Sequence, residues 1–194
     1  MRLLLVRHGR SALAPQWRPL DRDGVQRWRV AYDAAGIAPV DRPPAGLVAE
    51  VAGAGLVATS DLLRARDSAA RLAPDRVVLV SPLFREVPLP LPGWGPRRAP
   101  LALWEALIHA QWAADLARRR ALPPEAAAQV REAAAWCRAS CTAPEPVAGP
   151  VVVVTHGVFR RFLTGALVAA GWRAARGRRS YAHRSAWRLT APPT

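Results

Sequence analysis

Two short stretches of the chain are apolar at every position, LLLV at 3–6 and VVVV at 151–154, and each is closed by a polar turn. Such runs predict strands buried on both faces, as in a mainly parallel sheet covered by helices. Similar patterning predicts strands at 56–59 and 76–80, and SAWRLT near the carboxyl end adds a final strand. Between them, apolar residues recur at helical spacing over 22–35, 61–72, 100–120, 124–140 and 158–170. Gly36 and Pro39 end the first helix, and the proline-rich stretches at 39–44, 88–100 and 144–150 read as loops. Alternating strands and helices predict a three-layer α/β/α sandwich with a mixed, mostly parallel sheet and right-handed crossovers.

The two apolar runs end alike, in VRHG at 6–9 and VTHG at 154–157. Ligands of open α/β sheets bind beyond the carboxyl ends of the strands, so His8 and His156 can share one pocket despite their separation in sequence. Gly9 and Gly157 let the chain turn tightly and let another group approach closely. Arg7 adds a planar, permanently charged guanidinium suited to phosphate oxygens.

Four segments in order, VRHGRS at 6–11, SDLLRARDSA at 60–69, FRE at 84–86 and VVTHG at 153–157, give the chain a signature that resembles the histidine phosphatase superfamily, also called phosphoglycerate mutase-like. The resemblance spans most of the chain and leaves the carboxyl-terminal region least constrained. It implies the same mixed, mostly parallel sheet. It also implies that His8 attacks phosphorus and becomes a phosphohistidine, while Arg7, Arg64 and His156 surround the transferred phosphoryl group. Glu86 matches the acid/base position, protonating the departing alkoxide and then helping water attack. No metal or cofactor is required by this arrangement.

Read without the resemblance, the same residues have ordinary uses. The arginine-rich helix around Arg64 and Arg66 can face solvent or pair with Asp61 and Asp67, and Glu86 alone reads as a surface carboxylate. Ser60 or Asp61 is placed to cap that helix, with Leu62, Leu63 and Ala69 toward the sheet. The chain also departs from the family pattern: Arg10 stands where a carboxylate or amide is common, and Ala14 where asparagine is common. VPLPLPGWGPRRAP, after Glu86, lacks the usual glycine-tryptophan-glutamate pattern. Arg10, Ser11, Arg97 and Arg98 are the possible substrate-binding residues.

Length suits one domain over 1–194, with a helical cap segment at about 87–140 beside the crevice. In that segment Leu101, Trp104, Leu107, Ile108, Trp112 and Leu116 recur at helical spacing, which favours core packing, with an apolar wall for substrate or a membrane-surface contact as lesser readings. No long uncharged apolar stretch predicts a membrane span or signal peptide, so the cytoplasm is the default location. The net charge of +14 comes from arginine without any lysine. Arginines gather at 118–120 and from Arg173 to Arg179, where a solvated basic surface is favoured over non-specific nucleic-acid binding. Cys137 and Cys141 read as ordinary thiols, and His109 and His183 have no ligand-like partners nearby in sequence, so no metal is assigned.

The activity expected is a metal-independent phosphomonoesterase acting on a small phosphorylated metabolite or phosphoprotein. Two alternatives stay open: a phosphoglycerate mutase-like phosphotransferase, and a basic, catalytically weak binding module on the same fold. Nucleic acid is an unlikely partner on this reading, and the oligomeric state is left undetermined.

Overall fold

The computed structural model describes residues 1–119, 122–142, 149–175 and 180–192. Arg120 and the basic run of Arg176, Arg178 and Arg179 lie outside the described residues.

Strands β1 (Arg2–Arg7), β2 (Leu56–Ser60), β3 (Val78–Ser81), β4 (Val151–Thr155), β5 (Arg173–Ala174) and β6 (Ala186–Thr190) form one sheet in the order β3-β2-β4-β1-β6-β5. The β3, β2, β4 and β1 strands run parallel, whereas β6 lies antiparallel to β1 and β5 antiparallel to β6. The two apolar runs are direct neighbours, with Leu3 opposite Val151 and Arg7 opposite Thr155. Both therefore stop at the same edge of the sheet.

Successive strand side chains point to opposite faces, which divides the core in two. On one face Leu3, Leu5, Val151 and Val153 pack with Ala133 and Cys137 of α5 (Pro124–Thr142) and Phe159, Leu163 and Leu167 of α6 (Gly157–Ala169). On the other, Leu4, Val6, Val152 and Val154 pack with Leu47 and Val51 of α2 (Ala45–Ala52) and Ala65, Ala69 and Leu72 of α3 (Leu63–Leu72). A third cluster joins Val25 of α1 (Arg22–Ala34) to Trp104 and Ile108 of α4 (Leu101–Arg119). The α/β sandwich expected from the patterning is the fold observed.

Local differences have physical reasons. Helix α2 has no counterpart among the expected elements because AGLVAEVA is short and apolar nearly all round, so no stripe shows. Helix α3 starts at Leu63 with no side-chain cap: Asp61 instead binds Arg85, and Ser60 Oγ accepts from the Leu62 amide at 3.3 Å. Its inward face is Ala65, Ala69 and Leu72, while Leu63, expected against the sheet, is 43% exposed.

Candidate active site

The carboxyl ends of β1 and β4 bring His8 and His156 together, with ring centroids 5.0 Å apart. Both side chains are enclosed, at 2% and 1% exposure. His8 Nδ1 lies 2.7 Å from the Gly9 carbonyl. A carbonyl oxygen only accepts, so Nδ1 carries the proton and the lone pair is on Nε2. Burial holds the His8 imidazole well below its ordinary pKa, against the opposing Gly9 hydrogen bond, and Arg64 and Arg7 add to the lowering. His156 is lowered in the same way, first by burial and then by His8. Both rings are neutral near pH 7.

Arg64 sits in the first turn of α3 at 3% exposure, where its Nη1 donates to the Tyr32 carbonyl and meets Asp33 Oδ1, each at 3.1 Å. Its guanidinium lies over the Tyr32 ring, 4.4 Å from the centroid. Arg7 donates through Nη1 to the Tyr181 carbonyl. Arg7 Nε, Arg64 Nε and His156 Nδ1 are buried without a hydrogen-bond partner, a costly state for polar groups that an oxyanion ligand would relieve.

Glu86 is placed at the amino terminus of α6. Its Oε2 accepts from the Val158 amide at 3.0 Å, and its Oε1 from Phe159 at 2.6 Å and from Val87 at 3.2 Å. Burial raises its pKa, and the three backbone donors oppose that rise by favouring the charged form. A carboxylate offers about four lone-pair sites, so one on Oε2 is left for a proton.

A cavity of about 1000 Å³ opens over this group, lined at its polar end by Arg7, Arg64, Glu86 and His183. Neither His8 nor His156 lines it. They lie against its wall rather than in it, a more enclosed position than the strand-end pattern suggests. Arg10, Ser11, Arg97 and Arg98 do not line it either. Arg10, Arg97 and Arg98 are exposed, and Ser11 Oγ is taken up by the Leu13 amide at 3.1 Å.

Three residues of the site escaped the sequence reading. Although His183 has no partner near it in sequence, its ring lies 5.3 Å from that of His8, and its Nδ1 donates to the His8 carbonyl at 3.2 Å. The available signal was topological: once β6 runs antiparallel to β1 with Ala186 opposite Val6, residues just before β6 must lie beside the end of β1. Ser68 Oγ accepts from the Gly9 amide at 2.8 Å and donates to the Arg64 carbonyl at 2.6 Å, tying the turn after β1 to α3. Asp41 Oδ2 accepts from the Arg10 amide at 3.2 Å and from Arg184 Nε at 2.6 Å. It comes so close that a Cβ on Gly9 would lie 2.0 Å from it, which explains glycine there. At Gly157 a Cβ would meet only Arg7, at 3.5 Å, an ordinary contact.

No family model and no curated protein sequence matches the chain. Solved structures do. A mycobacterial glucosyl-3-phosphoglycerate phosphatase is 29% identical with a TM-score of 0.51, the match covering 87% of this chain and 79% of that one. This match is to a phosphatase of the histidine phosphatase superfamily, the family whose signature the chain resembles. A mycobacterial hydrolase is 28% identical at a TM-score of 0.51, covering 87% of this chain and 81% of its own. A phosphoserine phosphatase of Entamoeba histolytica, 17% identical at a TM-score of 0.53, covering 87% of this chain and 80% of its own, shares the fold.

Proposed function

We propose that this chain is a histidine phosphatase that hydrolyses small phosphomonoesters through a phosphohistidine at His8. The carrying observation is the His8 tautomer: Nδ1–H is spent on the Gly9 carbonyl, which leaves Nε2 as a neutral nucleophile beside two arginines and a second histidine. Nε2 attacks phosphorus, the ester P–O bond breaks, and the departing oxygen takes the proton of Glu86 to leave as an alcohol. The Glu86 carboxylate then accepts a proton from water, whose oxygen attacks phosphorus as the P–N bond breaks, releasing inorganic phosphate. Arg7, Arg64 and His156 stabilise charge on the equatorial oxygens, each donor worth about 2.7–4 kcal/mol of barrier by comparison with oxyanion sites. The lone pair of His8 supplies the nucleophile without help from a metal.

On this reading the ester is received in the cavity that Arg7, Arg64, Glu86 and His183 line, with His8 behind its wall, a recess that fits a metabolite better than a folded phosphoprotein. The α4 helix, which lends Leu101, Glu105, Ile108 and His109 to the cavity, acts with the loop before it as the cap. Among the described residues no helix is long and apolar enough to cross a membrane, and we assign the enzyme to the cytoplasm on default grounds.

The test is an acid quench during turnover of a labelled ester, followed by peptide mapping. An acid-labile phosphoryl group on His8, lost in His8→Ala together with turnover, is expected. Full activity in His8→Ala would sink the mechanism. Transfer of phosphate to a second hydroxyl in preference to water would favour the phosphotransferase reading instead.

A further inference from the structure

The cavity beyond the phosphate cradle has its own chemistry. One wall is α1, whose Val25, Trp28, Arg29 and Tyr32 line it at helical spacing and so share one face. The Trp28 and Tyr32 rings stack at 5.0 Å with an interplanar angle of 20°. Since Arg64 lies over Tyr32, a connected series of guanidinium, phenol and indole extends from the phosphate-binding arginine along this wall. Facing residues are Leu62, Val87, Pro88, Leu89, Leu101 and Ile108. A lining this apolar favours desolvation of an uncharged organic group.

The cations available to a second anionic group are absent from this wall or already donate to protein oxygens. Arg10, Arg97 and Arg98 do not line the cavity. Arg85 is held by a two-point ion pair with Asp61, at 2.7 and 2.6 Å. Arg29 donates to the Leu89 carbonyl, where it holds the opposite wall in place. Glu105 adds negative charge from α4. A substrate carboxylate here would give up its hydration for no more than the remaining N–H groups of Arg29, against the opposing charge of Glu105.

From this we infer that Trp28, with Tyr32, Leu62, Leu89 and Ile108, forms a selectivity subsite for phosphomonoesters of uncharged, apolar or aromatic alcohols. The inference rests on the phosphatase reading and narrows its substrate class: compact carboxylated phosphates are disfavoured. Trp28 is a specificity-determining residue that touches the organic part of the substrate. Tyr32 serves both ends, since its ring also supports Arg64.

The test compares 2-phenylethyl phosphate, ethyl phosphate and 3-phosphoglycerate, whose leaving groups are all alkyl alcohols, so that differences report the organic part. The parent enzyme is expected to favour 2-phenylethyl phosphate over each of the others by about tenfold or more in kcat/KM. Trp28→Ala should cut the phenylethyl-to-ethyl ratio by about tenfold, Trp28→Phe should keep it within about threefold, and Glu105→Arg should move selectivity toward 3-phosphoglycerate. Because Trp28→Ala could loosen α1, Trp28→Phe serves as the folded control carrying the same argument. A parent enzyme that prefers 3-phosphoglycerate, or a ratio indifferent to Trp28, overturns the subsite. Binding of 2-phenylethyl phosphate and 3-phosphoglycerate to His8→Ala, measured by calorimetry, separates this inference from hydrolysis. Selective binding of the apolar ester with no phosphate release by the parent would retain the subsite and reject the phosphatase reading, whereas hydrolysis paired with selective binding of 3-phosphoglycerate would do the reverse.

Discussion

The candidate active site is built from two regions held by different physics. The strand-end half, Arg7, His8, Arg64 and His156, rises from the parallel ladder of β1 and β4 and from α3, with Leu3 to Val6 and Val151 to Val154 essentially inaccessible to solvent. The other half, residues 180–185, lies outside the strands and meets the end of β1 through a few backbone hydrogen bonds, Arg7 N–H to the Ser185 carbonyl at 3.0 Å and Arg184 N–H to the Arg7 carbonyl at 3.1 Å. A buried cation clamps it further: Arg160 of α6 donates to the Ser185 carbonyl at 2.6 Å and to the Ser180 carbonyl at 2.8 Å, and its guanidinium lies 4.2 Å from the Trp187 ring centroid. Burial lowers the Arg160 pKa to about 10, still far above neutrality, so the clamp stays charged. Arg184, next to His183, adopts a left-handed backbone at φ 59° and is locked by Asp41. The first half gains precision from many interchangeable apolar contacts, and the second from a few polar ones that cannot be exchanged.

The largest effect is expected beside the strand-end half, at the Glu86 carboxylate held by the start of α6. Glu86→Gln should lower kcat for alkyl phosphates by about 10²–10⁴, with a much smaller loss for aryl phosphates, whose leaving groups need less protonation. Equal losses in steady-state assays of both ester types would mean either that Glu86 serves only to hold the start of α6 or that dephosphorylation of His8 limits both reactions, and the size of the phosphoenzyme burst separates the two.

Arg160→Met probes the clamp. Removing it takes the charged donor from the Ser180 and Ser185 carbonyls, which keep the Ser185 hydroxyl, the Trp187 indole and the Arg7 amide as neutral donors, and a hydrogen bond to a charged group is worth about 1.5–3 kcal/mol. Urea unfolding should show that loss, and kcat/KM should fall because His183 and the Arg7 anchor at Tyr181 move. Stability lost with kinetics intact would show that the 180–185 segment does not position the site.

A smaller change separates His183 from its setting. His183→Ala should reduce kcat/KM by about tenfold, altering the acid limb of the pH profile while Tm stays near that of the parent. A pure fall in Tm with unchanged kinetics would make His183 a packing residue.

The smallest effect is on stability as a function of pH. Burial, the main cause, keeps His8, His156 and His183 below the ordinary histidine pKa of about 6.5. The unfolded chain then binds protons that the folded one refuses, so stability is intact above about pH 6.5 and falls as pH is lowered through that value. Tm measured from about pH 8 to about pH 5 should decline, and less steeply in His8→Ala. A flat profile would contradict the buried, neutral state of these rings.

Much of the strand-end half was readable because its information is local. A short all-apolar run closed by a polar turn reads as a strand covered on both faces, and a histidine and glycine at its end point to the crevice. Arg64 was reachable through its motif, and the structure places it in the first turn of α3. Ser68 stood within that same motif unassigned, since a serine that bridges the Gly9 amide and the Arg64 carbonyl has no pattern of its own. The possible anion-binding residues Arg10, Arg97 and Arg98 show the converse, for charge and nearness to a motif in sequence did not bring them into the cavity.

What the sequence determined by itself is the alternation of strands and helices, the family signature and the two histidines at strand ends, because each follows from periodicities and short motifs within one segment. What only the tertiary structure decided is the company those histidines keep. The antiparallel return of β6 beside β1 delivers His183, the α1–α2 loop delivers Asp41, and one face of α1 delivers Trp28 and Tyr32. Each of these depends on contacts between segments far apart in the chain, and no local pattern encodes a contact whose partner is chosen by how the layers pack.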